Sequence, residues 1–139
     1  MPNKKPAFGI LQGHQNVDQI QFNIIFRKPE YPVIVISANR LYSAFNIKQL
    51  AKSCVSSVPI EKNSYIQVID SSGSEFWYSP EKYILSPGFA FKKWTKKMII
   101  EAFNNSINAK DTSQEYSMKS LSSKRLEKIL RDICEMLRP

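Results

Sequence analysis

Little in this chain is equipped for covalent or metal chemistry. It holds one histidine, His14, and two cysteines, Cys54 and Cys134. Those residues cannot complete a four-ligand Cys/His zinc site, so neither a metal nor a cofactor is expected. Any Ser/His/Asp or Cys/His arrangement would have to recruit His14, which stands in an aperiodic stretch. With only four glycines, the chain carries no P-loop, no G-x-G-x-x-G fingerprint and no G-x-S-x-G nucleophile elbow. Long apolar runs are missing too, and nothing approaches the ~20 residues of a membrane span. After Lys4 and Lys5 the apolar run is Ala7 to Leu11, broken by Gly9, short of the ~7–15 residues of a signal-peptide core. These absences predict a cytoplasmic protein with no membrane partner. Two cysteines are too few for a disulfide framework, and in that compartment both are expected as reduced thiols. Cys54 and Cys134 fall on or beside apolar helical stripes, which predicts small core residues and not reactive nucleophiles.

What is present is ordinary in amount and uneven in charge. A chain of 139 residues has the size of one domain. It can bury roughly two thirds of its unfolded surface, enough for a core without metal or disulfide support. The apolar fraction of 42% and charged fraction of 23% are those of a globular protein. Lys and Arg number 20 against 12 Asp and Glu, a net charge of +8. Such a balance draws nucleic acid or an acidic protein, although solubility alone also selects it.

The pattern along the chain mixes two periods. Residues 1–18, with Pro2, Pro6, Gly9 and Gly13, show neither period and read as a partly ordered lead-in to a domain spanning 19–139. From Gln19 to Arg27, Ile20, Phe22, Ile24 and Phe26 alternate with mostly polar residues, which predicts a strand with one buried face. Val33 to Ile36 is a continuous β-branched run, suited to a strand covered on both faces in the middle of a sheet. The short link through Pro29 and Pro32 predicts an antiparallel hairpin between these two. Asn46 caps a helix whose stripe is Ile47, Leu50, Ala51, Cys54, Val55 and Val58 and which ends near Ser57. Ser64 to Asp70, a Ser-Ser-Gly-Ser turn and Glu75 to Ser79 read as a second hairpin. Tyr83 to Leu85 is a further short strand, and Pro87-Gly88 a turn. Thr95 caps a helix to about Ile107, with Ile99, Ala102 and Phe103 inward. Asn108 to Met118 reads as loop. Ser122 or Ser123 caps a last helix with the stripe Leu126, Ile129, Leu130, Ile133 and Leu137. Its outer face carries the i,i+4 pairs Glu127–Arg131, Lys128–Asp132 and Arg131–Glu135. The expected fold class is α+β: a mainly antiparallel sheet of four to five strands with about three helices on one face, in a single domain.

One segment concentrates binding chemistry. Phe76 to Lys97 holds seven of the chain's sixteen aromatics, including both tryptophans. Lys82, Lys92, Lys93, Lys96 and Lys97 stand among them, with Glu81 as the only acid. Rings that stack on bases beside ammonium groups that meet phosphates form a single-strand nucleic-acid surface. The competing reading is a hairpin with an aromatic core face and a solvated lysine edge. Three predicted helices also open on basic residues: Lys48, Lys96 with Lys97, and Lys124 with Arg125. A helix N-terminus already favours anions, and cations there forfeit stability, so this placement favours an anionic partner.

These observations predict a small non-enzymatic binding protein for a polyanion, nucleic acid above all. Trp77, Lys82, Lys92, Lys93, Trp94, Lys96, Lys97, Lys124 and Arg125 are the candidate contacts. The alternative is a protein–protein interaction module, adaptor, inhibitor or homodimer, with Trp77, Tyr78 and Trp94 as an exposed patch rimmed by lysine. A third reading is an enzyme with a dispersed site that uses acids such as Glu75 or Glu81. The plainer expectation is that both are exposed hairpin carboxylates. No catalytic residue is assigned.

Overall fold

The computed structural model describes residues 21–56, 66–88 and 93–138. Its organising element is the β-branched run, which forms most of β2 (Val33–Ser37). Alternation sends Val33 and Val35 into one core cluster and Ile34 into another. None of the three is more than 3% exposed. A strand with apolar residues on both faces needs cover on both sides. β3 (Arg40–Ala44) and β4 (Ile66–Ile69) flank it, both antiparallel. β5 (Glu75–Ser79) pairs with β4, and β6 (Ile84–Pro87) with β5, again antiparallel. β1 (Asn23–Ile24) joins β6 in parallel, Asn23 opposite Ile84 and Ile24 opposite Leu85. The sheet order is β1-β6-β5-β4-β2-β3.

Helices cover both faces. On the first lies α1 (Ile47–Ser56), started by Asn46, whose Oδ1 accepts the Gln49 N–H at 2.9 Å. Its Leu50, Ala51 and Cys54 pack in the cluster that holds Val33, Val35, Ala44, Phe76 and Tyr78. On the second face lie α2 (Lys96–Asn104), α3 (Ile107–Thr112), the short α4 (Ser120–Ser123) and α5 (Leu126–Met136). Ile99, Ile100 and Phe103 of α2 and Ile129, Leu130 and Ile133 of α5 close over Ile34, Leu41 and Ile69. Each large apolar side chain buried this way contributes about 1.5–3 kcal/mol. Cys54 and Cys134 are free and buried in clusters on opposite faces, so the sheet keeps them apart.

The β3 edge is occupied by side chains. The Leu41 N–H donates to Asn108 Oδ1 at 2.7 Å, and Asn108 Nδ2 donates to the Leu41 carbonyl at 3.0 Å. The Phe45 N–H donates to Gln49 Oε1 at 2.7 Å. These contacts engage part of the backbone that an added strand would use.

The α+β class stands, with corrections to its parts. The described sheet has six strands, not four to five, and the described residues form five helices where about three were expected. They lie on both faces rather than one. The strand expected from Gln19 to Arg27 reduces, within the described residues, to Asn23–Ile24, and it pairs with β6 instead of forming a hairpin with β2. Phe26 breaks the alternation at a φ of 70°. The hairpin partner of β2 is β3, through Ala38 and Asn39 with φ of 50° and 67°, the left-handed pair that suits a two-residue turn. The stretch expected as loop contains α3, capped by Ser106, whose Oγ accepts the Ala109 N–H. α5 begins after Arg125, without a side-chain cap, not at Ser122 or Ser123. Its first turn holds an acid, Glu127, and Lys124 and Arg125 precede the helix instead of opening it. The lead-in 1–18 lies outside the described residues. No helix among them is long and apolar enough to cross a membrane.

Candidate functional site

The candidate surface is built on the β4–β5 hairpin. Its turn is organised by Asp70, which is only 2% exposed. One carboxylate oxygen accepts the Ser72 N–H, the Ser74 N–H and the Ser72 hydroxyl at 3.0, 3.0 and 2.7 Å. The other accepts the Glu30 N–H at 2.9 Å. Gly73 completes the turn at a φ of 85°. A Cβ there would stand 3.0 Å from the Trp94 carbonyl oxygen and 3.4 Å from Leu126 Cδ1. The turn is therefore pressed against both the 93–94 segment and the start of α5, which only glycine allows.

From this turn β5 runs outward with its two faces distinct. Phe76 and Tyr78 enter the first core, while Glu75 and Trp77 point to the other side. There the helices pack mainly on β2 and β3, and Trp77 keeps 37% of its surface exposed. Across the sheet its row reads Ile36, Gln67, Trp77, Ser86. Trp94 sits at the border of the helical core and is partly buried. Its Nε1 donates to Glu75 Oε2 at 3.1 Å, and Gln67 Nε2 donates to the same oxygen at 2.8 Å. Gly88 lies close beneath: a Cβ on it would be 3.3 Å from Glu75 Oε1 and 3.4 Å from Trp77 Nε1. Glu75 thus ties one indole to the sheet beside the other.

Cations gather at the turn. Lys93 bridges to Ser74 through its backbone, and its ammonium donates to Ser74 Oγ at 2.8 Å, with the Ser72 Oγ at 3.4 Å. Lys96 opens α2 and donates to the Leu121 carbonyl at 3.2 Å. Arg125 is exposed and directly precedes Leu126, the residue packed against Gly73. Lys93 and Trp94 meet the hairpin turn directly, and Lys96 and Arg125 stand within two residues of Trp94 and Leu126, which pack against it.

The other candidates stand differently. Lys82 is exposed in the β5–β6 turn, at the far end of β5 from Lys93, next to the exposed Tyr83. Lys97 faces Glu101 at 3.9 Å on its own helix. Lys124 donates to the Tyr116 hydroxyl at 3.1 Å and to Asp132 at 3.0 Å, while Lys128 reaches Asp132 at 2.8 Å. The hydrogen bonds to Tyr116 and Asp132 raise the Lys124 pKa, and they engage its ammonium within the chain. Burial works to raise the Asp132 carboxyl, but hydrogen bonds from Lys128, Tyr116 and Lys124 outweigh it and hold it at about 2. Lys92 lies outside the described residues.

Glu75 corrects an expectation: it is buried, at 7% exposure, while Glu81 is exposed as expected. A cavity found elsewhere in the fold is lined by neither acid. The role of Glu75 was missed, although the alternation around Phe76 and Tyr78 already placed it on the Trp77 face. The contribution of Leu126 and Gly73 had no sequence signal, because it depends on α5 returning to the hairpin. No family model, curated protein or solved structure matches the chain.

Proposed function

We propose that the protein is a non-enzymatic binding protein for a polyanion, single-stranded nucleic acid, and that it binds through the β4–β5 turn and the adjoining face of β5. The observation that carries this reading is Lys93 bonded onto the turn, with Lys96 and Arg125 in the two segments that pack against it, and the partly exposed Trp77 on the same hairpin. Lys93 and Arg125 meet phosphates. Trp77 offers a ring on which a base stacks, and Lys82 extends the track along β5. Trp94 is a positioning residue, because its indole N–H is engaged by Glu75. The single-strand preference follows from the ring: a base reaches Trp77 only when it is not paired and stacked in a duplex. Lys97 and Lys124 contribute long-range potential more than contact.

Fluorescence anisotropy of a labelled oligothymidylate of about 12 nucleotides tests this. Three phosphate contacts on a single strand give a slope of about −2 in log K against log salt, or roughly 20-fold weaker binding from 50 to 200 mM. Trp77→Ala should weaken binding by about 1–3 kcal/mol. Lys93→Gln and Arg125→Gln should each flatten the salt slope by about 0.7. A flat titration at low salt, or a Trp77→Ala variant that binds like the wild type, refutes the proposal.

A further inference from the structure

A cavity of about 300 Å³ opens where the loop after β1 meets the C-terminal end of β3 and the start of α1. Its walls are Ile24, Pro29, Tyr31, Phe45 and Ile47, with Asn46 and a single cation, Lys28. The volume lies at the lower end of the roughly 300–1,000 Å³ of ligand pockets, and the mix of apolar wall and few polar groups is theirs as well. Lys28 is exposed and has no ion-pair partner among the described residues. Burial, with a smaller contribution from Cys54, pushes the Tyr31 hydroxyl up to about 12, so it stays a neutral donor at physiological pH.

A second observation marks the same place. Phe26 is 90% exposed and held at a left-handed φ of 70°. A bulky residue on such backbone is an outlier that clusters at functional sites. Its neighbours two residues to either side, Ile24 and Lys28, both line the cavity. An apolar ring therefore stands in solvent on the same short segment whose Ile24 and Lys28 line the cavity. An anion with an aromatic body satisfies all three: the body leaves water for the cavity, its outer edge meets Phe26, and its charge meets Lys28. A neutral hydrocarbon leaves Lys28 without a role, and an inorganic phosphate or polyphosphate has no apolar part to fill the space.

We propose that this cavity binds a small aryl carboxylate, with the ring against Ile24, Tyr31, Phe45 and Ile47 and the carboxylate on Lys28. The site is separate from the β4–β5 surface and does not rest on the nucleic-acid reading.

The test is a ¹H–¹⁵N correlation titration of the full chain with 3-phenylpropionate, repeated with the neutral 3-phenylpropanol. The expected result is saturable shifts confined to amides near Ile24–Tyr31 and Phe45–Ile47, with a dissociation constant on the order of 1 mM. The alcohol should bind about tenfold more weakly, and Lys28→Gln should remove that difference. Phe26→Ala, at an exposed position, should weaken the acid without changing the fold's spectrum. Ile47→Phe, which fills the space, should abolish binding while dispersion is kept. Absence of saturable shifts up to about 10 mM overturns the proposal. So do equal affinities for acid and alcohol, or shifts centred on Lys93 and Trp77.

Discussion

Asp70 should be among the most sensitive positions in the chain. Its carboxylate accepts four hydrogen bonds, three of them from backbone N–H groups at 2.9–3.0 Å, and the side chain is almost fully enclosed. Replacing it with alanine removes every acceptor and leaves the Glu30, Ser72 and Ser74 amides to find water in a turn packed under Trp94. A hydrogen bond to a charged group contributes about 1.5–3 kcal/mol, and an unsatisfied buried donor costs about 1–3 kcal/mol. Partial rehydration of the exposed Glu30 amide lowers the sum, so Asp70→Ala should cost about 3–5 kcal/mol, a large part of the roughly 5–15 kcal/mol of a typical domain. In a chain this size the melting temperature should fall by about 8–16 °C. Asp70→Asn keeps one acceptor oxygen and should lose about half as much, since its amide nitrogen then faces a backbone N–H. Urea unfolding followed by tryptophan fluorescence measures both. A loss below about 1 kcal/mol for Asp70→Ala would refute the claim that this carboxylate holds the hairpin.

Two further outcomes follow from groups away from the candidate surface. The Asp132 carboxyl, at about 2 when folded against an ordinary 3.8, is depressed, so its contribution is complete above pH 4 and lost as pH falls toward 2. Discounted for its partial exposure, the effect is about 1 kcal/mol. Wild type should lose that much more than Asp132→Asn between pH 4 and 2, and parallel pH profiles would contradict the assignment. Burial pushes both thiols up, Cys134 to about 12, and neither is exposed. Ellman's reagent should therefore find no reactive thiol in the native protein at neutral pH and two after denaturation. Rapid native labelling of either cysteine would show that its core cluster opens.

The α+β class, the central character of Val33 to Ile36, the second hairpin and the Asn46 and Thr95 caps were legible from sequence. Each rests on a local rule: side-chain period, β-branching, or a short polar side chain that can reach its own backbone. The caps form as expected, Asn46 on Gln49 and Thr95 on Met98. The apolar stripe of α5 was equally legible, because Ile129, Leu130 and Ile133 recur at helical spacing whatever they pack against. What the local rules could not reach depended on partners distant in sequence. β3 escaped notice because its hairpin turn is Ala38-Asn39 and not the Asn-Gly that such turns favour. β1 pairs with β6 because the long connection returns the chain to it, and no residue in Asn23–Ile24 encodes that choice. Two-sided cover followed from the third dimension as well, since a strand pattern says that both faces are apolar but not which helix covers which.

The candidate surface divides along the same line. Composition alone located the aromatic and lysine-rich segment from Phe76 to Lys97. Only the tertiary structure separated its members. It sent Phe76 and Tyr78 into the core, left Trp77 part-exposed, fastened Trp94 to the buried Glu75 and committed Lys124 to Asp132. The packing of Leu126 against Gly73 set the start of α5, where Arg125 stands, against the same hairpin turn. A residue's chemistry is carried by the chain, whereas its availability is set by which other segments pack beside it.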